Sequence, residues 1–405
     1  MSRHPLRPLL VLAIAACSGS AEPPAPDAPP SSTLVNASDV PIDGLSREDV
    51  AKFNDGDALF DLPFRPADGL GPLYIRTACS SCHAEGSRGP GLVQKMVVVE
   101  SDGITPAADQ SALAWGNTVR QGMAAGARTP IAPPAAGNVK VSIRFGPPVL
   151  GRGYVEAVDE AELVRLEAEQ ARRGDGIHGK IGRAPFASLP GPDTSFGSFR
   201  QGELVTGRLG LKSRIASIDD FTADAFQGDM GMTTPMRPSE LVNPDGLLDD
   251  QRAGTDLTQG HIDRVAFYLR RIAIPRRAGL TERGAQLFEQ AACAVCHVPA
   301  VRTRADYPIA QIAGIDAPIY SDLLLHDMGA ALADGMTDGG ASPRSWRTAP
   351  LIGVRFQASY LHDGRAASVA EAVEAHDGEA RDAALAVQAL SEDDRRALIE
   401  FVEAL

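Results

Sequence analysis

Aromatic residues are scarce in this chain, at 5% of 405 residues, with only two tryptophans. That shortage excludes an interior filled mainly by aromatic side chains and leaves room for a bulky cofactor. Positive charge is short as well: 39 Lys and Arg stand against 52 Asp and Glu, for a formal charge of -13. Nucleic acid and anionic lipid are thereby excluded as main partners, since both need a positive field. Beyond the first 16 residues no stretch is apolar enough to cross a bilayer. Cysteine is sparse and odd in number, at five. What is present, 44% apolar and 22% charged residues with forty Gly and thirty Pro, excludes collagen, coiled coil and wholesale disorder and indicates a loop-rich globular protein.

Arg3 and Arg7 precede the short apolar run Leu9 to Ala16, which predicts a secretory signal over residues 1–16. The run Ile14-Ala15-Ala16-Cys17 resembles a bacterial lipobox, so Cys17 is expected to be the lipidated first residue after cleavage. Residues 17–45 read as a Pro/Ala/Ser-rich tether, with five prolines between Ala21 and Ser32. The chain is therefore expected in the cell envelope facing the periplasm, at the outer membrane, held to lipid only through its N-terminus.

The other four cysteines fall in two C-x-x-C-H pentapeptides, Cys79-Ser80-Ser81-Cys82-His83 and Cys293-Ala294-Val295-Cys296-His297. This is the attachment pattern of c-type haem. Two thiols at that spacing add to the two vinyl groups on one porphyrin edge, and the next imidazole reaches under the ring as proximal iron ligand. A zinc knuckle or a pair of redox dithiols would use the cysteines too, but neither needs a histidine directly after the second cysteine in both copies. Cys79, Cys82, Cys293 and Cys296 are thus the expected thioether positions of two covalent haem c groups, with His83 and His297 on iron. No cysteine is left over for disulfide or nucleophilic chemistry.

Thr281 is placed to cap a helix carrying Leu280, Gly284, Leu287 and Phe288 on one stripe, leading into the second pentapeptide. Ser391 opens a last helix with Leu398, Phe401, Val402 and Leu405 on one face. A helical stretch Asp256–Ile274 stops at Pro275, a natural junction. The fold expected is mostly α: two cytochrome-c-like haem domains in tandem, at 46–275 and 276–405. The first is enlarged by long loops, a charged helix at Val155–Arg173 and a Gly-rich tract from Gly174 to Gly231. A faint echo joins the halves: Pro147-Pro148-Val149-Leu150-Gly151 with Tyr154 parallels Ala349-Pro350-Leu351-Ile352-Gly353 with Tyr360. Setting Tyr154 on Tyr360 puts Glu156 at the His362 position and Gln170 at that of His376.

The stretches Cys79–Pro90, Ala225–Pro235, Tyr320–Gly329, Trp346–Gly353 and Leu361–Ala380 give the chain a strong resemblance to the di-haem oxidoreductases sometimes labelled thiol oxidoreductases, relatives of the bacterial di-haem cytochrome c peroxidases. In those peroxidases a similar His-Asp-Gly segment runs into a helix whose methionine binds the electron-transfer haem. Here His376 stands in its place, so the resemblance implies His376 as distal ligand of the Cys293/Cys296 haem and bis-histidine iron of lower potential. His362 and His326 are expected as buried hydrogen-bonding groups, and His178 and His261 as unremarkable loop and helix residues. For the first haem the distal side is open to Met230 or Met123, with Met232 a further candidate, and Glu156 is the candidate acid/base group. Trp115 and Trp346 are candidates for the space between the haems, or for packing alone.

The resemblance implies a peroxidase-like enzyme: electrons enter at the C-terminal haem from a small donor cytochrome or other redox protein, and an oxidant such as hydrogen peroxide is reduced at the N-terminal haem. Two other outcomes are kept, a non-catalytic electron-relay cytochrome and a di-haem enzyme that oxidises a partner protein. The related peroxidases hold a calcium ion, for which no ligand set stands out here.

Overall fold

The computed structural model describes residues 40–84, 92–124, 126–187, 200–247 and 254–405. The signal segment, Cys17 and most of the tether lie outside the described residues. All that is described belongs to one compact unit, Asn36–Leu405. Among the described residues, helices make up 33% and strands form only two-stranded antiparallel sheets, so irregular backbone outweighs helix.

Helix α1 (Arg47–Asp61) starts at Ser46, whose side chain accepts from Asp49 N. The charged segment expected as one helix is two, α2 (Arg152–Ala157) and α3 (Glu160–Gln170). The break falls at Asp159, which adopts an extended conformation and accepts from Ala161 N, so it caps the second helix rather than continuing the first. The Gly-rich tract is not all loop: Ser217 caps α4 (Ile218–Met230). Helix α5 (Gln259–Arg271) falls inside the predicted 256–274 stretch. Helix α6 (Glu282–Gln290) is capped by Thr281 and leads into a tight turn at Cys293–Val295. Two shorter helices, α7 (Val369–Glu374) and α8 (Arg381–Gln388), precede the last, α9 (Glu392–Glu403), which Ser391 caps.

The same helix crossing occurs twice. Helix α6 lies on α9 at Gly284, where a methyl group would sit 2.9 Å from Ala397 O and closer still to Phe401 Cβ. Helix α1 lies on α5 at Gly56, where a methyl group would meet Arg264 O and sit 2.7 Å from Tyr268 Cβ. Each glycine meets residues four apart on its partner and opens an identical pattern, Gly56-x-x-Leu59-Phe60 and Gly284-x-x-Leu287-Phe288. All four Leu and Phe side chains are buried, each contributing about 1.5–3 kcal/mol by the area it removes from water. Leu280, expected on the same stripe, is exposed.

The echo segments also meet. Gly151 and Gly353 both take φ +63°, a conformation that favours glycine. Ile352 Cδ1 packs 3.0 Å from where a Cβ on Gly151 would be, and Leu150 Cδ1 2.7 Å from the same point on Gly353. The main core accordingly runs across the expected boundary at 275, joining Phe53, Tyr268 and Phe226 to Ala317, Ile319, Leu324 and Ile352. A separate cluster around Leu287, Phe288, Leu398 and Phe401 serves the C-terminal site.

Candidate functional site

The C-terminal pentapeptide opens on an apolar cavity of about 260 Å³ whose wall includes Cys293, Cys296, His297 and His376. Helix α6 delivers the two cysteines, and α7 ends just before His376. His297 Nδ1 pairs with Tyr320 O at 3.1 Å and His376 Nδ1 with Ala372 O at 2.7 Å. An imidazole tied to a carbonyl through Nδ1–H keeps its Nε2 lone pair for a metal. Burial holds both imidazoles below their usual basicity, His297 at about 4, so both are neutral donors at neutral pH. Burial likewise pushes the Cys293 thiol up to about 11. Two neutral imidazoles and two protonated thiols on one apolar cavity fit a haem, which the cysteines would attach and the two histidines would bind.

His326 lies against this site. Its Nδ1 is 2.7 Å from Glu379 Oε2 and 3.8 Å from Cys296 Sγ, and its Nε2 is 3.0 Å from Asp322 Oδ2. Burial alone would lower its basicity, but the bonds to Asp322, Cys296 and Glu379 push it up to about 12. His362, also at the cavity wall, stacks on Trp346 with ring centroids 3.9 Å apart. Trp346 donates Nε1–H to Leu332 O, and Lys212 Nζ stands 4.2 Å from its ring centre. Trp115 is 42% exposed, which leaves Trp346 as the tryptophan beside the cavity.

At the N-terminal pentapeptide, His83 lies under Phe60, ring centroids 6.2 Å apart, much as His297 lies 6.5 Å from Phe288. Its ring edge rests on Gly146, where a Cβ would be 2.8 Å from Cε1. Burial raises the Cys79 thiol to about 12 and the Cys82 thiol to about 11. One connection runs from this site to the other: Phe145 N donates to His362 O at 2.8 Å, next to Gly146.

The proposed partners of the first site are placed as follows. Met230 is buried in the main core, and so is Met232, whereas Met123 is 44% exposed on a short strand. Glu156 is not poised for proton transfer to a substrate. Arg270 Nε and Nη2 donate to its two oxygens at 2.7 and 3.0 Å, Tyr307 OH donates at 2.7 Å and Ile218 N at 2.8 Å. That carboxylate ties α2 to α5 and α4, with its acceptor capacity used inside the fold. Gln170, the echo of His376, donates to Asp322 Oδ2 at 2.8 Å and to Val295 O at 3.1 Å in the C-terminal half. His178 N donates to Glu379 and His261 takes part in the cap of α5, as befits structural residues. The repeated Gly-x-x-Leu-Phe is the sequence signal for the N-terminal helix crossing. Tyr320 and Ala372, which orient the two imidazoles through backbone oxygens, leave no side-chain signal at all.

Two C-x-x-C-H turns on duplicated helix crossings, one with a second histidine on the wall of the same apolar cavity, define a redox protein that holds haem. The model of a family described as "Di-haem oxidoreductase, putative peroxidase" matches residues 135–405, and the chain belongs to that family. The match includes the second pentapeptide and starts after the first. No curated protein matches the chain. Among solved structures it is similar to a chain of hydrazine synthase from Kuenenia stuttgartiensis, determined under 20 bar xenon, at 13% identity and a TM-score of 0.40 over 98% of this chain and 99% of that one. No helix among the described residues is long and apolar enough to cross a membrane.

Proposed function

We propose that the chain is an exported di-haem c enzyme in which the C-terminal site stores an electron and the N-terminal site reduces an oxidant such as hydrogen peroxide. Haem, when bound, supplies iron that takes up and passes single electrons and that reduces an oxidant where a coordination position is open. Cys293 and Cys296 would hold the group at the C-terminal site, and His297 and His376 would both bind it and so exclude substrate there. Cys79, Cys82 and His83 would hold it at the N-terminal site. The observation that carries the reading is the asymmetry: the carbonyl-anchored His297 and His376 share one cavity, whereas Gln170, the counterpart of His376, is spent on Asp322 and Val295. Electrons would arrive from a small redox protein at the C-terminal side, and Cys17 would carry the lipid that keeps the enzyme at the envelope.

Electron paramagnetic resonance of the purified, half-reduced protein tests this. One low-spin bis-histidine signal and one high-spin signal that changes on adding peroxide are expected, with H376A converting the low-spin signal to high spin. Two low-spin signals inert to peroxide would make the chain an electron relay. Fewer than two haems per chain in a pyridine haemochrome assay would end the reading altogether.

A further inference from the structure

Arg347 is 6% exposed at the end of the short strand Ser345–Arg347 and forms part of the wall of the C-terminal cavity. Its Nε donates to Gly210 O at 2.9 Å and its Nη1 to Thr348 O at 3.1 Å. Among the described residues no carboxylate reaches ion-pair distance of it; of the other buried arginines Arg144 pairs with Asp334 and Asp338 and Arg270 with Glu156 and Asp219, while Arg120 donates to Gly228 O and is not part of this cavity's wall. Burial pulls Arg347 down to about 10, opposed only by the more distant charge of Asp322.

The nearby carboxylates are already committed. Asp322 accepts from Gln170, His326 and Leu324 N. Glu379 pairs with His326 and accepts from His178 N and Asp327 N. A buried guanidinium without a counter-ion is costly, and a planar fork of donors suits a carboxylate. The polypeptide supplies no ion-pair partner to Arg347 among the described residues, and the cavity whose wall it forms is the one that fits a haem.

We propose that Arg347 binds a propionate of the C-terminal haem as its counter-ion, and so sets the orientation and the potential of that group. The proposal rests on the haem reading of this site. A cation beside the propionate favours the reduced, less positive centre, so its loss lowers the midpoint potential.

The test compares wild-type protein with R347Q and R347K, each purified with haem attached, by redox titration of the low-spin signal and by resonance Raman of the propionate bending mode. R347Q is expected to shift the oxidised-to-reduced ratio at fixed applied potential about tenfold toward oxidised, about 59 mV for one electron, and to move the propionate mode. R347K, which keeps the charge and loses the fork, should move the mode with a smaller change in potential. If R347Q does not fold, an unmoved mode in R347K overturns the proposal. Both haems present with an unchanged potential and mode in R347Q overturn it too, with the haem reading intact. A wild-type spectrum that shifts on titration with sodium acetate, lost in R347Q, would assign the guanidinium to a diffusible carboxylate instead.

Discussion

The two pentapeptide sites stand on one scaffold and differ in how it is finished. In both, a Gly-x-x-Leu-Phe helix crosses a second helix at the glycine, and the phenylalanine leans over the histidine of C-x-x-C-H. The C-terminal site adds His376, fixed by Ala372 O, and packs in its own small cluster. The N-terminal site is built into the main core, and Glu156 and Gln170, which echo His362 and His376 in the sequence, are engaged elsewhere, Glu156 with Arg270 and Gln170 with Asp322 beside the C-terminal site. Packing therefore repeats the same crossing at both sites, while the side chains outside the crossing differ.

The sharpest way to break this contrast is at Glu156. If it serves the fold, E156Q leaves Arg270 buried without its main counter-charge and should cost about 3–5 kcal/mol of stability, read by urea denaturation followed through the helical signal. If it were an acid/base group, E156Q would abolish peroxide turnover and leave the denaturation midpoint where it was. The salt bridge, with both side chains 3% exposed, argues for the first outcome.

The glycines test whether the two crossings are equivalent. Gly to Ala in an open helix is stabilising by about 1 kcal/mol, yet at Gly284 and Gly56 the added methyl has backbone oxygen in its way. G284A and G56A should each destabilise by about 1–3 kcal/mol through overpacking. They should do so separately: G284A weakens retention of the low-spin signal in denaturant, G56A the high-spin one. Loss of both signals together in either variant would mean that the two crossings are not independent supports.

How far the sequence reaches follows from the same contrast. The capped helices α6 and α9 are legible because Thr281 and Ser391 sit one turn ahead of apolar stripes, and local signals suffice there. The two C-x-x-C-H pentapeptides are legible because each is a contiguous run of the chain. The burial of Glu156 is not, since its partners Arg270 and Tyr307 are 114 and 151 residues away. Nor is the shared core: Leu150 on Gly353 and Ile352 on Gly151 join halves that composition presents as separable at Pro275. The split of Val155–Arg173 at Asp159 is hidden in the sequence because a continuous charged pattern masks a cap residue.

A pH test concerns His326, beside the C-terminal site. Its acceptors Asp322 and Glu379 hold it protonated up to about pH 12, whereas an unfolded histidine releases its proton near the reference value of about 6.5. Because the folded value lies above the unfolded one, the charge contributes stability that is complete below pH 6.5. That contribution is lost as pH rises from 6.5 toward 12, by about 1.4 kcal/mol for each pH unit while only the folded state keeps the proton. Denaturation midpoints of wild type and H326Q, measured at several pH values above 6.5, should therefore converge as pH rises. Parallel curves would show that His326 keeps no extra proton in the folded protein, and that its neighbours do not raise its basicity.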